Sequence, residues 1–222
     1  MFLTRFNINP RTQLGARYLQ NPQKVHAAIY GAMPTQPVVA TEGGRPLWRM
    51  DCGDPKAPVL WVVSPERPAF DQLADEAGRA VEGRVYQTRP YVSFLDRLAE
   101  GQVYAFRLAA NASHSGRRSV ESAQTQRFGH VTAAQQLQWL LLRSDRSGFS
   151  FPLTAGNEPD VAVVGQRKSS FRRDQGRVTV TVSEFMGHLQ VIDPNALRHT
   201  LTSGIGHARA YGCGLLTLAL PR

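Results

Sequence analysis

An imidazole and a phenol four positions apart, His26 and Tyr30, fall within PQKVHAAIYGAM, where Val25, Ala28, Ile29 and Met33 recur at helical spacing. Residues four apart on a helix share a face, so the two rings can address one reacting bond. Imidazole exchanges a proton near neutral pH, which suits it to general acid or base work. A single helical histidine is also commonly just a partly exposed polar residue, and spacing alone leaves both readings open. Near the other end, SGIGHARAYGCGLL places Gly204, Gly206, Gly212 and Gly214 within eleven positions, with Arg209 between the pairs. Such bare backbone can wrap a phosphate or let a neighbouring element approach closely, and it can equally form only a bulge and a tight turn. It is not a nucleotide motif. The phosphate-loop pattern needs Lys followed by Ser or Thr, and the dinucleotide fingerprint follows a strand and opens a helix, the reverse of the order here.

A third constellation is electrostatic. The chain of 222 residues has a net charge of +9, and two thirds of that excess lies in residues 107 to 177, where 11 Lys and Arg meet 5 Asp and Glu. A localised basic surface is what a polyanion such as RNA needs. Arg107, Arg117, Arg118 and Arg127 lie on or beside a polar arm (112–129), while Arg167, Lys168, Arg172, Arg173 and Arg177 crowd a hairpin whose turn is Asp174-Gln175-Gly176. The alternative for any one of them is a weak surface ion pair, and 23 of the 26 basic residues being Arg fits a GC-rich genome as well as a demand for phosphate contacts. Phe171 is a candidate for base stacking; Trp139 is placed in the core of its helix.

The elements that must position these residues follow two similar courses. In the first half, FLTRFNI (2–8) alternates as a strand and Asn21 caps the His26 helix, with Pro22 at its first position. LWRMDC (47–52) and PVLWVVS (58–64) read as strands across a GDPKA turn, FDQLADEAG (70–78) as a short helix and RVYQTRPYV (84–92) as a strand interrupted by Pro90. In the second half come a strand at 103–111, the arm, read as an exposed loop, and a helix at 130–144. That helix is capped by Thr132, with Val131, Leu137, Leu140 and Leu141 as its buried face. The basic hairpin, the strand HLQVI, a helix from Asp193 to Gly204 and a last strand LLTLAL complete it. Strand, helix, strand, strand, helix, strand is the ferredoxin-like arrangement, so the expectation is an α+β chain of two tandem ferredoxin-like domains with antiparallel sheets, 1–95 and 103–222.

No stretch approaches the apolar length of a membrane span and the start breaks too early for a signal peptide, so a cytoplasmic protein without membrane contact is expected. Cys52 and Cys213 form no CxxC pair and are each expected to be a lone buried thiol. His114, His130, His188 and His199 show no metal-ligand spacing; no metal and no cofactor is assigned.

The MFLTRFNIN opening, the NPxxxH sequence at Asn21, Pro22 and His26, LWRMD at 47–51, FRLxAN at 106–111, VIDP at 191–194 and the GIGxARxxGxGLL run together resemble the CasE family, the precursor-RNA endoribonucleases of type I-E CRISPR systems. The resemblance covers most of the chain, and the glycine run is its most specific part. It implies binding of a CRISPR repeat hairpin, metal-independent cleavage at the base of the stem, and retention of the crRNA beside the other protein subunits of the Cascade complex. His26 is then the catalytic residue. Relatives often carry a tyrosine three residues before that histidine, where Gln23 stands here, so the second proton-transfer partner is unassigned and Tyr30 is the substitute candidate; Lys24 can supply charge. Arg209 stands where the family's glycine run carries lysine, which keeps the charge. His207 is read as exposed.

Cutting RNA without a metal can use the substrate's own 2′-hydroxyl as nucleophile, leaving a cyclic phosphate and a 5′-hydroxyl. The protein then removes one proton, delivers another and stabilises the phosphate charge. Two other readings stand beside this one: a non-catalytic RNA-binding subunit of a CRISPR ribonucleoprotein, and a small-molecule phosphate enzyme built on the glycine loop.

Overall fold

The computed structural model of the chain describes residues 1–35, 44–117, 125–173 and 176–221. Strand β1 (Phe2–Asn7) opens it, and alternation divides its side chains between two faces, Thr4 and Phe6 fully buried on one and Arg5 exposed on the other. Helices α1 (Gln13–Gln20) and α2 (Pro22–Gly31) follow, each started by a side-chain cap: Thr12 Oγ1 accepts from the Gly15 N–H and Asn21 Oδ1 from the Gln23 N–H. Helix α1 was not among the expected elements. It is two turns long, with Leu14, Tyr18 and Leu19 as the side packed on the first core and Gly15 buried between them.

Strands β2 (Leu47–Asp51) and β3 (Val59–Ser64) pair across the GDPKA turn, α3 (Asp71–Ala77) crosses back, and β4 (Tyr86–Pro90) completes an antiparallel sheet of order β2-β3-β1-β4. Pro90 is tolerated because β4 is an edge strand. A one-turn helix, α4 (Val92–Leu95), leads into the second half. There β5 (Val103–Ala110), β6 (Ser113–Arg117), β7 (Thr125–Gly129), α5 (Ala133–Ser144), β8 (Phe149–Ser150), β9 (Val161–Arg173), β10 (Gly176–Val191), α6 (Pro194–Ser203) and β11 (Leu216–Ala219) build a second sheet of order β11-β5-β10-β8, with β9 also on β10, and a separate β6-β7 pair. In each sheet the first strand lies between the last and the third, the ferredoxin-like order, so the chain is α+β with that topology twice over.

Three local expectations are corrected. Where it is described, the polar arm is paired strand and not loop: Ser113 pairs with Gly129 and Arg117 with Thr125. With polar residues on both faces it has no apolar alternation to announce it. On α5 the Thr132 cap is present as a full capping box with Gln135, yet Val131 is 76% exposed, and the fully buried positions are Gln136, Trp139, Leu140 and Ser144. Lastly, the second strand of the basic hairpin and HLQVI are one continuous strand, β10, which carries a register shift between Glu184 and Phe185.

Two cores result. In the first, Val25 and Ile29 of α2 and Leu73 of α3 pack on Phe6, Trp48, Met50, Leu60 and Val62 of the first sheet. Each such buried side chain contributes roughly 1.5–3 kcal/mol. The second and larger core joins the other face of that sheet, through Leu47 and Val63, to Phe106, Leu108, Leu140, Phe185, Leu197 and Leu201. Arg49, only 2% exposed, is held between the sheets: Nε and Nη2 donate to the Asp51 carboxylate at 2.7 and 3.0 Å, and Nη1 donates to the carbonyls of Arg107 (2.7 Å) and Leu215 (3.1 Å). A buried guanidinium is tolerable only with its charge and donors matched in this way. Of the two cysteines Cys213 is buried, whereas Cys52, just past the end of β2, is exposed, contrary to expectation.

Candidate active site

The apolar stripe of α2 fixes the aspect of its flank. Val25 and Ile29 are turned into the core, so His26 and Tyr30, each one position later, lie side by side and half-buried, their ring centroids 4.2 Å apart and tilted by 54°. Burial raises the Tyr30 phenol above its ordinary value, with Arg45 pulling in the opposite direction. The net shift keeps Tyr30 protonated at neutral pH, a donor and not a base. Gln23, one turn before His26, keeps its amide oxygen buried and without a hydrogen-bond donor among the described residues.

The glycine run lies beside this helix. After α6 the chain makes a 3-10 turn, Arg209–Tyr211, flanked by two left-handed residues, Ala208 (φ 60°) and Gly212 (φ 80°), and this turn lies against both α2 and β2. Two close approaches explain why glycine is needed. A Cβ built on Gly212 would stand 2.6 Å from Cζ3 of Trp48, and one on Gly206 (φ 81°) would stand 2.9 Å from Cζ2 of Trp139. Gly204 and Gly214 also have positive φ, with Gly204 closing α6. Close packing against two tryptophans is therefore the structural role of the run. Arg209 Nε donates to the Gly206 carbonyl at 3.1 Å, which aims its guanidinium. Half-burial lowers the pKa of Arg209 and a nearby Arg45 lowers it further. Arg45 thus lies close to both Tyr30 and Arg209. Sequence reasoning missed it: the residue stands alone between a glycine pair and Pro46, and only its place two residues before LWRMD hinted at it.

The remaining predicted residues are distributed as follows. Lys24 is exposed on α2 and His207 is exposed in the glycine run. His207 lines, with His114, His130, Trp139 and Arg143, a concavity of about 890 Å³ beside the arm hairpin. Arg107 is drawn into ion pairs with Glu184 (2.9 Å) and Asp51 (3.5 Å), and Arg167 faces the same Glu184 at 3.9 Å, so these two are partly neutralised. Lys168 is exposed on β9. The backbones of Arg172, Arg173 and Arg177 sit at the far end of the β9-β10 hairpin and those of Arg117 and Arg127 on the arm hairpin, while Arg118 lies outside the described residues. Phe171 is 7% exposed and packs at 4.7 Å on Tyr211, so it is a core ring and offers no stacking face to a base. Trp139 is core, with the Arg143 guanidinium 4.4 Å above its ring.

Residues 1–220 match the model of a family described as CRISPR associated protein. A CRISPR-associated endoribonuclease, Cse3 of Thermus thermophilus, is 30% identical over 228 residues, covering 99% of this chain and all of the relative. Among solved structures, Cse3 bound to a 19-nucleotide RNA superposes with a TM-score of 0.78 at 27% identity, covering 99% of this chain and 100% of that one. Thermus thermophilus Cse3 with an RNA representing a pre-cleavage complex gives 0.77 at 28% identity, with 98% of each chain covered. Matched from end to end by the family and by a full-length relative, the chain belongs to the CRISPR-associated protein family, in the CasE line that its NPxxxH sequence and glycine run resemble.

Proposed function

We propose that the chain is a metal-independent endoribonuclease that binds the hairpin of a CRISPR repeat, cleaves precursor crRNA at the base of the stem and retains the product within the Cascade complex, acting in the cytoplasm. The observation that carries this reading is the pairing of His26 and Tyr30 at 4.2 Å on a helix that packs against the turn carrying Arg209, in a fold whose RNA-bound relatives include a pre-cleavage complex.

The chemistry is a transesterification. Neutral His26 takes the proton of the 2′-hydroxyl as its oxygen attacks phosphorus; the new O2′–P bond forms as the P–O5′ bond breaks. The leaving O5′ receives a proton from Tyr30, whose raised pKa keeps that proton in place until it is needed. Arg45, whose charge acts on both Tyr30 and Arg209, and Arg209 itself stabilise the extra charge on the phosphoryl oxygens, the contribution that is commonly largest in such reactions. The products are a 2′,3′-cyclic phosphate and a 5′-hydroxyl. Basic residues of the arm and of the β9-β10 hairpin grip the stem through its backbone, since the major groove of A-form RNA is too deep and narrow to read.

A repeat hairpin with a single 2′-deoxynucleotide just before the cut tests this directly. It is expected to bind as the all-ribose RNA does and to resist cleavage, and the all-ribose products are expected to carry a cyclic phosphate. Cleavage of the deoxy substrate at an undiminished rate contradicts the mechanism, and binding without cutting of either RNA makes the chain a binding subunit instead.

A further inference from the structure

Three arginines gather on the face of the first sheet opposite α2 and α3. Arg5 on β1 has Trp61 of β3 and Gln87 of β4 as its cross-strand neighbours, and residues so paired project from the same face. Arg89, two positions along β4, shares that face, and Arg84 lies just before the strand. With Asn7, Glu82 and Gln87 these arginines line a concavity of about 510 Å³. All three are exposed, and among the described residues none of them makes an ion pair.

What holds them together is neutral. With the Gln87 amide turned so that its oxygen faces them, that oxygen accepts from Arg89 Nη2 at 3.1 Å and from Arg84 Nη1 at 3.2 Å. One uncharged acceptor thus aligns two guanidiniums and leaves both charges in place, with Arg5 adding a third. Glu82, the one acidic group on the rim, is bonded to none of them. Uncompensated like charges favour an anion between them, and the planar guanidinium fork fits phosphate oxygens. Partly buried Trp61 beside Arg5 adds an aromatic edge to the same face. His26 and Tyr30 belong to α2, which packs on the opposite, Phe6 side of the sheet, so this concavity is no part of the candidate active site.

We infer that this face is a second RNA site, one that binds the phosphates of unpaired RNA flanking the repeat hairpin. The inference rests on the RNA-processing reading above. It predicts that affinity grows when the hairpin carries a single-stranded tail, and that the added affinity depends on Arg84 and Arg89 while cleavage of the bare hairpin does not.

The test compares the wild-type chain with the double variant Arg84→Gln, Arg89→Gln by fluorescence anisotropy across a salt series, using the bare hairpin and hairpins extended by an oligouridine tail at the 5′ or the 3′ end. The wild type is expected to bind one tailed RNA on the order of tenfold more tightly than the bare hairpin. The variant is expected to lose that gain, its log–log salt slope for that RNA becoming shallower by about 1.4 for two lost single-strand contacts. Thermal midpoint, bare-hairpin affinity and cleavage rate stay unchanged. No gain from either tail overturns the inference, as does an equal loss on the bare hairpin. If the tail binds the variant normally but the variant no longer joins its partner subunits, the face docks an acidic protein surface and the inference is wrong. Failure of the wild type to bind any hairpin sinks the RNA-processing reading first, and this inference with it.

Discussion

Gly212 presses its backbone on the indole of Trp48, closely enough that a Cβ there would stand 2.6 Å from Cζ3. The contact ties the glycine run to β2 and, through the shared core, to the helix that carries His26. Gly212→Ala faces two penalties, a φ of 80° and a clash with a side chain that cannot withdraw because it is 2% exposed. The expected loss is about 2–3 kcal/mol, read as a lower thermal midpoint together with slower cleavage. An unchanged midpoint and rate contradict the packing account.

Arg49 makes the second structural prediction. Its removal leaves the Asp51 carboxylate and the carbonyls of Arg107 and Leu215 without their donor. Arg49→Met is expected to cost about 3–5 kcal/mol, the usual result of breaking one side of a buried pair, and denaturant unfolding measures it.

The two guanidiniums at the site are expected to act as a unit. Arg45→Gln and Arg209→Gln should each slow single-turnover cleavage by about 10²-fold while changing hairpin affinity far less. The double variant should lose less than the product of the two, because both address one phosphoryl group. Strictly multiplicative losses argue against a shared role.

Tyr30 sets the alkaline behaviour. Burial raises its pKa above the ordinary 10.0, so the phenol keeps its proton throughout the neutral and mildly alkaline range. Cleavage is expected to hold level as pH rises toward 10 and to fall only beyond it; in Tyr30→Phe the rate drops about 10²-fold and that alkaline fall disappears. A decline that begins well below pH 10 assigns the acid to another group.

The cysteines give a test independent of RNA. Burial pushes the Cys213 thiol up to about 12, while Cys52 is exposed. A maleimide reagent is therefore expected to modify one thiol in the native chain and two after denaturation. Because the folded pKa of Cys213 lies above its ordinary 9.0, its contribution to stability is intact below pH 9 and is lost as pH climbs toward 12.

Much of this architecture is legible in the sequence. Asn21 with Pro22, Thr132, and Asp193 with Pro194 mark helix starts by local chemistry, and Asn21, Thr132 and Asp193 are each a cap in the structure. What escaped was settled by tertiary partners. Apolar character places Val131 on a buried face, whereas the buried side of α5 is decided by Trp139 meeting Gly206 across the molecule. Arg45 has little sequence signal beyond its place before LWRMD, because its significance lies in its electrostatic action on Tyr30 and Arg209, residues 15 positions before it and far beyond it. Arg107 looked like a phosphate ligand for the opposite reason: charge patterning does not reveal that Glu184 and Asp51 converge on it.

The central claim is that His26 moves a proton in RNA cleavage. The most direct measurement incubates wild type and His26→Ala with an end-labelled cognate repeat hairpin in EDTA, following binding by gel shift and cleavage on a denaturing gel. The account predicts that the wild type cuts at a single position, and that the variant binds with the same affinity and leaves the RNA whole. Equal cutting by the two proteins contradicts it and removes His26 from the chemistry.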